Sequence, residues 1–226
     1  MIWHFFPIPL QTKFMRARSF LLAIGMALAV GWAANQGLAG VLSSKELLEA
    51  TAPTDFFQEG SMEAEIHSGV LFELFDHPAF NEAPAIFRFG WMLSTPQGDA
   101  FYRGNWEVLL DLYGSGIFHG PGNVVIGPEA LIRYNFVQPG WWVVPYLQIG
   151  AGIVYTDAWE DHTQRLIGGP VEFTPQASGG LRFMVDPQWS IQLECMYHHI
   201  SNAGLYSRNV GVNQVGALLG VSYLFR

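Results

Sequence analysis

The sequence predicts an all-β protein: an eight-stranded antiparallel transmembrane up-and-down β-barrel, preceded by a cleaved signal peptide. Three observations carry this expectation. Half of the 226 residues are hydrophobic and 15% aromatic, while only 13% are charged. Apolar and polar residues alternate with period two in eight separate stretches. The only long apolar run lies near the amino terminus, behind a basic cluster. A strand with lipid on one side and a polar interior on the other requires that alternation.

The amino terminus comes first. Lys13, Arg16 and Arg18 precede the apolar run 20–34, and Gly31-Trp32-Ala33 and Gly37-Leu38-Ala39 both offer a small-x-small cleavage pattern. A basic start, a short greasy middle and small residues make a secretory signal peptide. A retained anchor would need roughly 20 apolar residues. The expected organisation is therefore a signal peptide over 1–39, an amino-terminal periplasmic segment over 40–61 and the barrel over 62–226. One cysteine, Cys195, excludes an intrachain disulfide framework and a Cys-based zinc cluster. A net charge of −8 argues against nucleic acid as a partner.

In the first strand Ala64, Ile66, Ser68, Val70, Phe72 and Leu74 alternate with Glu63, Glu65, His67, Gly69, Leu71 and Glu73. Seven further stretches repeat the pattern, with greasy positions running from Ala85 to Leu93, Trp106 to Leu112, Ala130 to Phe136, Leu147 to Tyr155, Ala177 to Val185, Trp189 to Tyr197 and Val215 to Phe225. The other face gathers Glu63, Glu65, Glu73, Glu107, Asp111, Glu129 and Glu194 with Arg88, Arg133 and Arg182. A barrel this small is filled by its own side chains, and charges inside it must pair. They are read as a structural network, with proton handling as the sharper alternative. A soluble, lipocalin-like barrel would turn its greasy face inward and carry many Lys and Glu outside, against the charge content here.

Connections alternate in length. Residues 95–100, 137–140 and 186–187 read as short periplasmic turns; 75–84, 114–123, 156–172 and 201–212 read as longer external loops. Trp91, Trp106, Trp141, Trp142 and Trp189 fall near strand ends, where aromatic girdles sit. The chain closes on Tyr223-Leu224-Phe225-Arg226, an aromatic terminus of the outer-membrane kind with one added arginine.

Chemically capable side chains concentrate at 197–213. Tyr197, His199 and Ser201 continue the lipid-facing register of Trp189, Ile191 and Leu193, whereas His198 has inward parity. Two residues on one strand face stand roughly 7 Å apart at the backbone, a gap that His and Ser side chains close. With both termini periplasmic, the seventh strand ends at Ser201 beside the outer leaflet. A serine becomes nucleophilic when an imidazole takes its proton, and that imidazole needs a third group to hold its tautomer. Asn213 has outward parity on the neighbouring strand. Asn202, Asn209 and the amides around Ala203-Gly204 are candidate oxyanion donors. Parity alone leaves a second reading open, in which His199 and Ser201 are interfacial polar residues where a strand leaves the membrane.

The run His199-Ile200-Ser201-Asn202-Ala203-Gly204-Leu205, followed by Asn209-x-Gly211-x-Asn213, resembles the lipid A 3-O-deacylase family (PagL-like, also called acyloxyacyl hydrolase-like). The motif spans about 15 residues, and the signal peptide and strand pattern extend the likeness over most of the chain. The resemblance implies a multi-pass barrel of the bacterial outer membrane that hydrolyses the 3-linked acyl ester of lipid A, with a Ser, His and Glu triad on the barrel's outside. It implies Ser201 as nucleophile, His199 as general base, and Asn209, Asn202 and the Gly204 region as oxyanion support. Its partner would be lipid A, or lipopolysaccharide, in the outer leaflet, and a homodimer is compatible with it. The family pattern has glutamate where this chain has Asn213. An amide orients imidazole through its oxygen but does not offset imidazolium charge, so the expectation is a slower deacylase or a member with altered activity. The rival reading is a non-catalytic structural or adhesion-type barrel with a vestigial site.

Other chemistry has little support. H-E-x-x-H, C-x-x-C, G-x-S-x-G and phosphate-loop patterns do not occur. His67, His77, His119 and His162 lack paired spacing and read as structural or exposed, so neither metal nor cofactor is expected.

Overall fold

The computed structural model describes residues 55–75 and 79–226. The expected signal peptide, most of the 40–61 segment and His77 lie outside the described residues. Within them, strands β1 (Met62–Glu73), β2 (Asn81–Met92), β3 (Asn105–His119), β4 (Val124–Asn135) and β5 (Val143–Thr156) follow one another. The chain continues through β6 (Val171–Phe173), β7 (Gln176–Met184), β8 (Trp189–Ile200) and β9 (Val212–Phe225). Every pairing is antiparallel. β1 pairs with β9 over twelve residues and β4 pairs with β5, so the sheet closes on itself.

The wall has eight staves, because β6 and β7 are two pieces of one. They part at Thr174-Pro175, where proline has no N–H to give the ladder. Its carbonyl still serves, accepting the His199 N–H at 3.0 Å. Closure leaves no unpaired strand edge, which is the condition for crossing hydrocarbon. No helix among the described residues is long and apolar enough to cross a membrane; here the strands cross.

The alternation read from the sequence governs which side chains face out. Ile66, Leu110 and Leu219 are 66%, 61% and 62% exposed, whereas Glu65, Asp111 and Leu218 beside them in the chain are buried. A ring of exposed apolar residues on a closed sheet is a lipid-facing belt. Aromatic pairs collect at the end that holds the short turns: Trp106 meets Tyr134, and Trp189 meets Tyr223, each with ring centroids 4.8 Å apart.

The interior is layered. Phe57, Met92, Val137, Val144, Met184 and Leu224 seal the turn end, with Phe57 entering from ahead of β1. In the middle, Arg88 grips Asp111 through two nitrogens at 2.8 Å and reaches Glu194 at 3.1 Å. Arg133 takes both oxygens of Glu65, and Arg182 meets Glu63 at 2.7 Å. Arg133 also lies over the Tyr146 ring, 4.4 Å from its centroid. All these ionic side chains are fully buried. Toward the loops Leu71, Phe80, Ile86, Tyr113, Met196 and Ile200 form a second apolar layer.

Three expectations change. Glu73 does not join the interior network; it stands half-buried at the loop end of β1, where its carboxylate accepts the backbone N–H of Asn213. The expected loop 114–123 shrinks to the turn 120–123, because β3 and β4 keep pairing through Gly114-Ser115-Gly116. Small residues there interrupt the hydrophobic pattern without interrupting the backbone ladder. The turn expected at 95–100 is a longer connection, 93–104, holding a short 3₁₀ turn at Ala100–Tyr102 and a bridge between Gln97 and Gly104.

Arg133 links three carboxylates, so its removal strands buried charge. Arg133→Met is expected to cost about 3–5 kcal/mol, read as a lower urea midpoint for the barrel in vesicles. Ile132→Val, one position away on the lipid face, is expected to shift it by well under half as much.

Candidate active site

The site forms where β8 and β9 leave the membrane belt. Cα register places His199 opposite Asn213 and Ile200 opposite Val212. The backbone beyond β8 is held from the other side: Ser201 exchanges two hydrogen bonds with Phe173 of β6, at 2.7 and 3.0 Å. Ser201 is therefore fixed by the short stave piece beyond Pro175, not left on a free loop.

Outward parity brings three side chains into a line. The Ser201 hydroxyl donates to His199 Nε2 at 2.9 Å, and His199 Nδ1 donates to Asn213 Oδ1 at 2.9 Å. An amide oxygen only accepts, so this pairing sets the proton on Nδ1 and leaves Nε2 free as a base. His199, Ser201 and Asn213 are all partly exposed on the wall's outer side, while His198 is fully buried on the inner side against Glu129 and Gln214.

Two partners of this line escaped the sequence reading. The Tyr197 hydroxyl donates to the same Asn213 oxygen at 2.7 Å. Glu73 accepts the Asn213 N–H with both carboxylate oxygens at 3.2 Å. Tyr197 shares the outward parity of His199, a signal that was available. Glu73 comes from a strand distant in sequence and has inward parity, and only closure of the barrel brings β1 beside β9.

The expected oxyanion donors separate. Asn202 is fully buried; its Nδ2 donates to the Arg208 carbonyl, and its Oδ1 accepts the Gly204 N–H at 3.0 Å. Those donors are engaged inside the 201–211 loop, where Asn202 and Gly204 shape its backbone. Asn209 differs. Its oxygen accepts the Asn202 N–H at 2.9 Å, and its amide nitrogen has no hydrogen-bond partner among the described residues.

The loops over the site pack tightly. Val210 and Gly211 donate to the carbonyls of Arg165 and Leu166, each at 3.1 Å. A side chain on Gly169 would run into the Tyr206 ring. Asp157 receives Asn123 and Val124 N–H groups; burial pushes its carboxyl up, but these bonds outweigh it and hold the group below the usual carboxylate range.

A closed antiparallel sheet with an apolar outer belt defines a class: a membrane-spanning β-barrel, here with a serine, an imidazole and an amide aligned on its lipid side. The family comparison is consistent with that class. The model of the family described as lipid A 3-O-deacylase (PagL) matches residues 85–222, and the chain belongs to that family. It is accordingly a barrel of the bacterial outer membrane. The solved structure of the outer-membrane enzyme PagL is similar at a TM-score of 0.50 and 17% identity, covering 70% of this chain and 97% of that one. Neisserial surface protein A is similar at 0.52 and 12% identity, covering 73% and 99%. At these identities the likeness is one of fold. No curated protein matches the chain significantly in sequence.

Gly211 sits at φ +77°, and a Cβ there would lie 3.1 Å from His199 Cε1. Gly211→Ala is therefore expected to displace the imidazole and lengthen its hydrogen bond to Ser201, read as a shifted His199 ring signal by NMR. The heat-modifiable gel shift of the folded barrel should be unchanged.

Proposed function

We propose that this protein is a serine esterase that removes the 3-O-linked acyl chain of lipid A in the outer leaflet. The observation that carries the proposal is the Ser201–His199–Asn213 line on the lipid side of the wall. A bilayer-embedded ester already lies against that surface, so the reaction needs no pocket in the lumen.

His199 Nε2 takes the Ser201 proton as Oγ attacks the ester carbonyl. The Asn209 amide, whose oxygen is anchored on the Asn202 N–H, is the donor assigned to the developing oxyanion. Collapse expels the sugar 3-oxygen, which takes the proton from His199, and leaves the acyl group on Ser201. Water, deprotonated by His199, then attacks the acyl-enzyme and releases the fatty acid. Asn213 holds the Nδ1 proton in place, and Tyr197 holds Asn213.

What the amide lacks is charge. A carboxylate beside Nδ1 would stabilise the imidazolium that forms during attack, as the glutamate of the related pattern implies. Here the carboxylate joined to the line is that of Glu73, acting through the Asn213 backbone. This supports a deacylase with a weaker base.

Asn213 is also the feature that favours the rival reading, a non-catalytic barrel with a vestigial site. Mass spectrometry of lipid A from cells with and without the protein separates the two, since loss of a 3-linked acyl chain demands an enzyme. Ser201→Ala is expected to lower deacylation by on the order of 10³-fold or more; full retention of activity by this variant and by His199→Asn would end the proposal. Asn213→Glu is expected to raise the hydrolysis rate roughly tenfold, equal to about 1.4 kcal/mol of barrel-wall stabilisation of the transition state. An unchanged rate would count against an orienting role for position 213.

A further inference from the structure

The serine and the imidazole lie on the lipid side, but part of what holds them lies on the inner face of the wall. Phe173, Thr174 and Pro175, where β6 gives way to β7, bracket the pair. Phe173 exchanges two backbone hydrogen bonds with Ser201, and the Pro175 carbonyl accepts the His199 N–H at 3.0 Å. Proline has no N–H to return to the His199 carbonyl, so the ladder is one bond short beside the base.

Side chains inside the barrel tie the two segments together at this point. Thr174, in the middle of the bracket, and His198, just before His199, meet the same carboxylate. Glu129 of β4 accepts the Thr174 hydroxyl on Oε1, and His198 Nε2 lies 3.3 Å from that oxygen. Its other oxygen accepts Gln176 Nε2. All four side chains are buried. Glu129 reaches Thr174 over β5 because its register partner there is Gly152. A Cβ on Gly152 would lie 2.3 Å from Glu129 Cγ. The Gly152 backbone in turn exchanges hydrogen bonds with that of Thr174, at 3.0 and 3.2 Å.

His198 is held on its other side as well. Its Nδ1 faces Gln214 and Glu82 at 3.4 and 3.6 Å, and its ring stacks on Tyr113 with centroids 4.9 Å apart. The contacts close a ring: from Glu129 to Thr174, through the bracket to Ser201 and His199, and back through His198. Hydrogen bonds to a buried carboxylate are short and directional, and a satisfied buried network is rigid. We propose that Glu129 is a positioning residue for acyl transfer: it touches no reacting atom and fixes the His199–Ser201 spacing from inside the barrel. The inference rests on reading Ser201, His199 and Asn213 as the reacting line, and it adds the group that keeps that line in register.

The test uses the full-length protein in detergent micelles and an alkyl fluorophosphonate, which labels a serine only as fast as its base activates it. A misplacement of about 1 Å costs roughly 100-fold. Glu129→Ala should therefore slow the limiting rate of Ser201 labelling by roughly 10- to 100-fold, with the half-saturating probe concentration within about twofold. Glu129→Gln keeps an acceptor for Thr174 and should restore the rate to within about threefold. Arg133→Met, a lesion of the central ionic layer, should lower the urea midpoint yet leave labelling within about twofold, which separates positioning from general destabilisation. If Glu129→Ala fails to fold, Thr174→Val carries the test, with a several-fold slowing expected. Unchanged labelling in Glu129→Ala or Thr174→Val, or a Glu129→Gln protein as slow as Glu129→Ala, overturns the proposal. The His199 ring signal by NMR is read in parallel: Glu129→Ala should shift it and Glu129→Gln should not. That signal decides the positioning role even if Ser201 proves inert to the probe, so a failed esterase reading and a failed positioning role remain distinct.

Discussion

Everything in this structure depends on the closed hydrogen-bond ladder. Hydrocarbon offers backbone groups no partners, so a sheet that crosses it must leave no free edge. The pairing of β1 with β9 completes that ladder. Closure then makes side-chain parity absolute, because each wall residue faces either lipid or lumen. The ionic core and the aligned serine and histidine are two results of that rule on opposite faces of the same wall.

The inner face shows how the rule is satisfied when polar residues are buried. Arginines from β2, β4 and β7 reach across the lumen to carboxylates on β1 and β8, and Arg88 also pairs with Asp111 on the neighbouring β3. Each ion pair has a low-dielectric surrounding and close geometry, which buried charges require. The lumen is thus filled and braced. A rigid wall also serves chemistry, since two residues on one strand face keep their separation.

At the loop end the constraint relaxes, and this is where function collects. Pro175 interrupts one stave, yet its carbonyl and the short β6 piece hold the β8 backbone at His199 and Ser201. The loops 157–170 and 201–211 then interlock through Arg208 and the Val210–Gly211 hydrogen bonds. One end of that interlocked pair meets His199, where Gly211 packs against the imidazole.

Much of this was legible in the residues. Period-two alternation specified the strands and their faces, because a one-residue slip would put Glu65 or Arg133 into lipid. The same parity set His199, Ser201 and Asn213 on one side and His198 on the other. Sequence had less to say where backbone pairing persists without a hydrophobic signal, as at Gly114-Ser115-Gly116, or where donors are taken up locally, as with Asn202 and Gly204. Nothing in the order of residues joins Glu73 to Asn213, or Arg208 to the carbonyls of Trp159 and Asp161, since those contacts exist only once the barrel closes and the loops fold over it. Local periodicity decides which face a side chain takes; proximity between distant strands and loops is decided by the closed ladder alone.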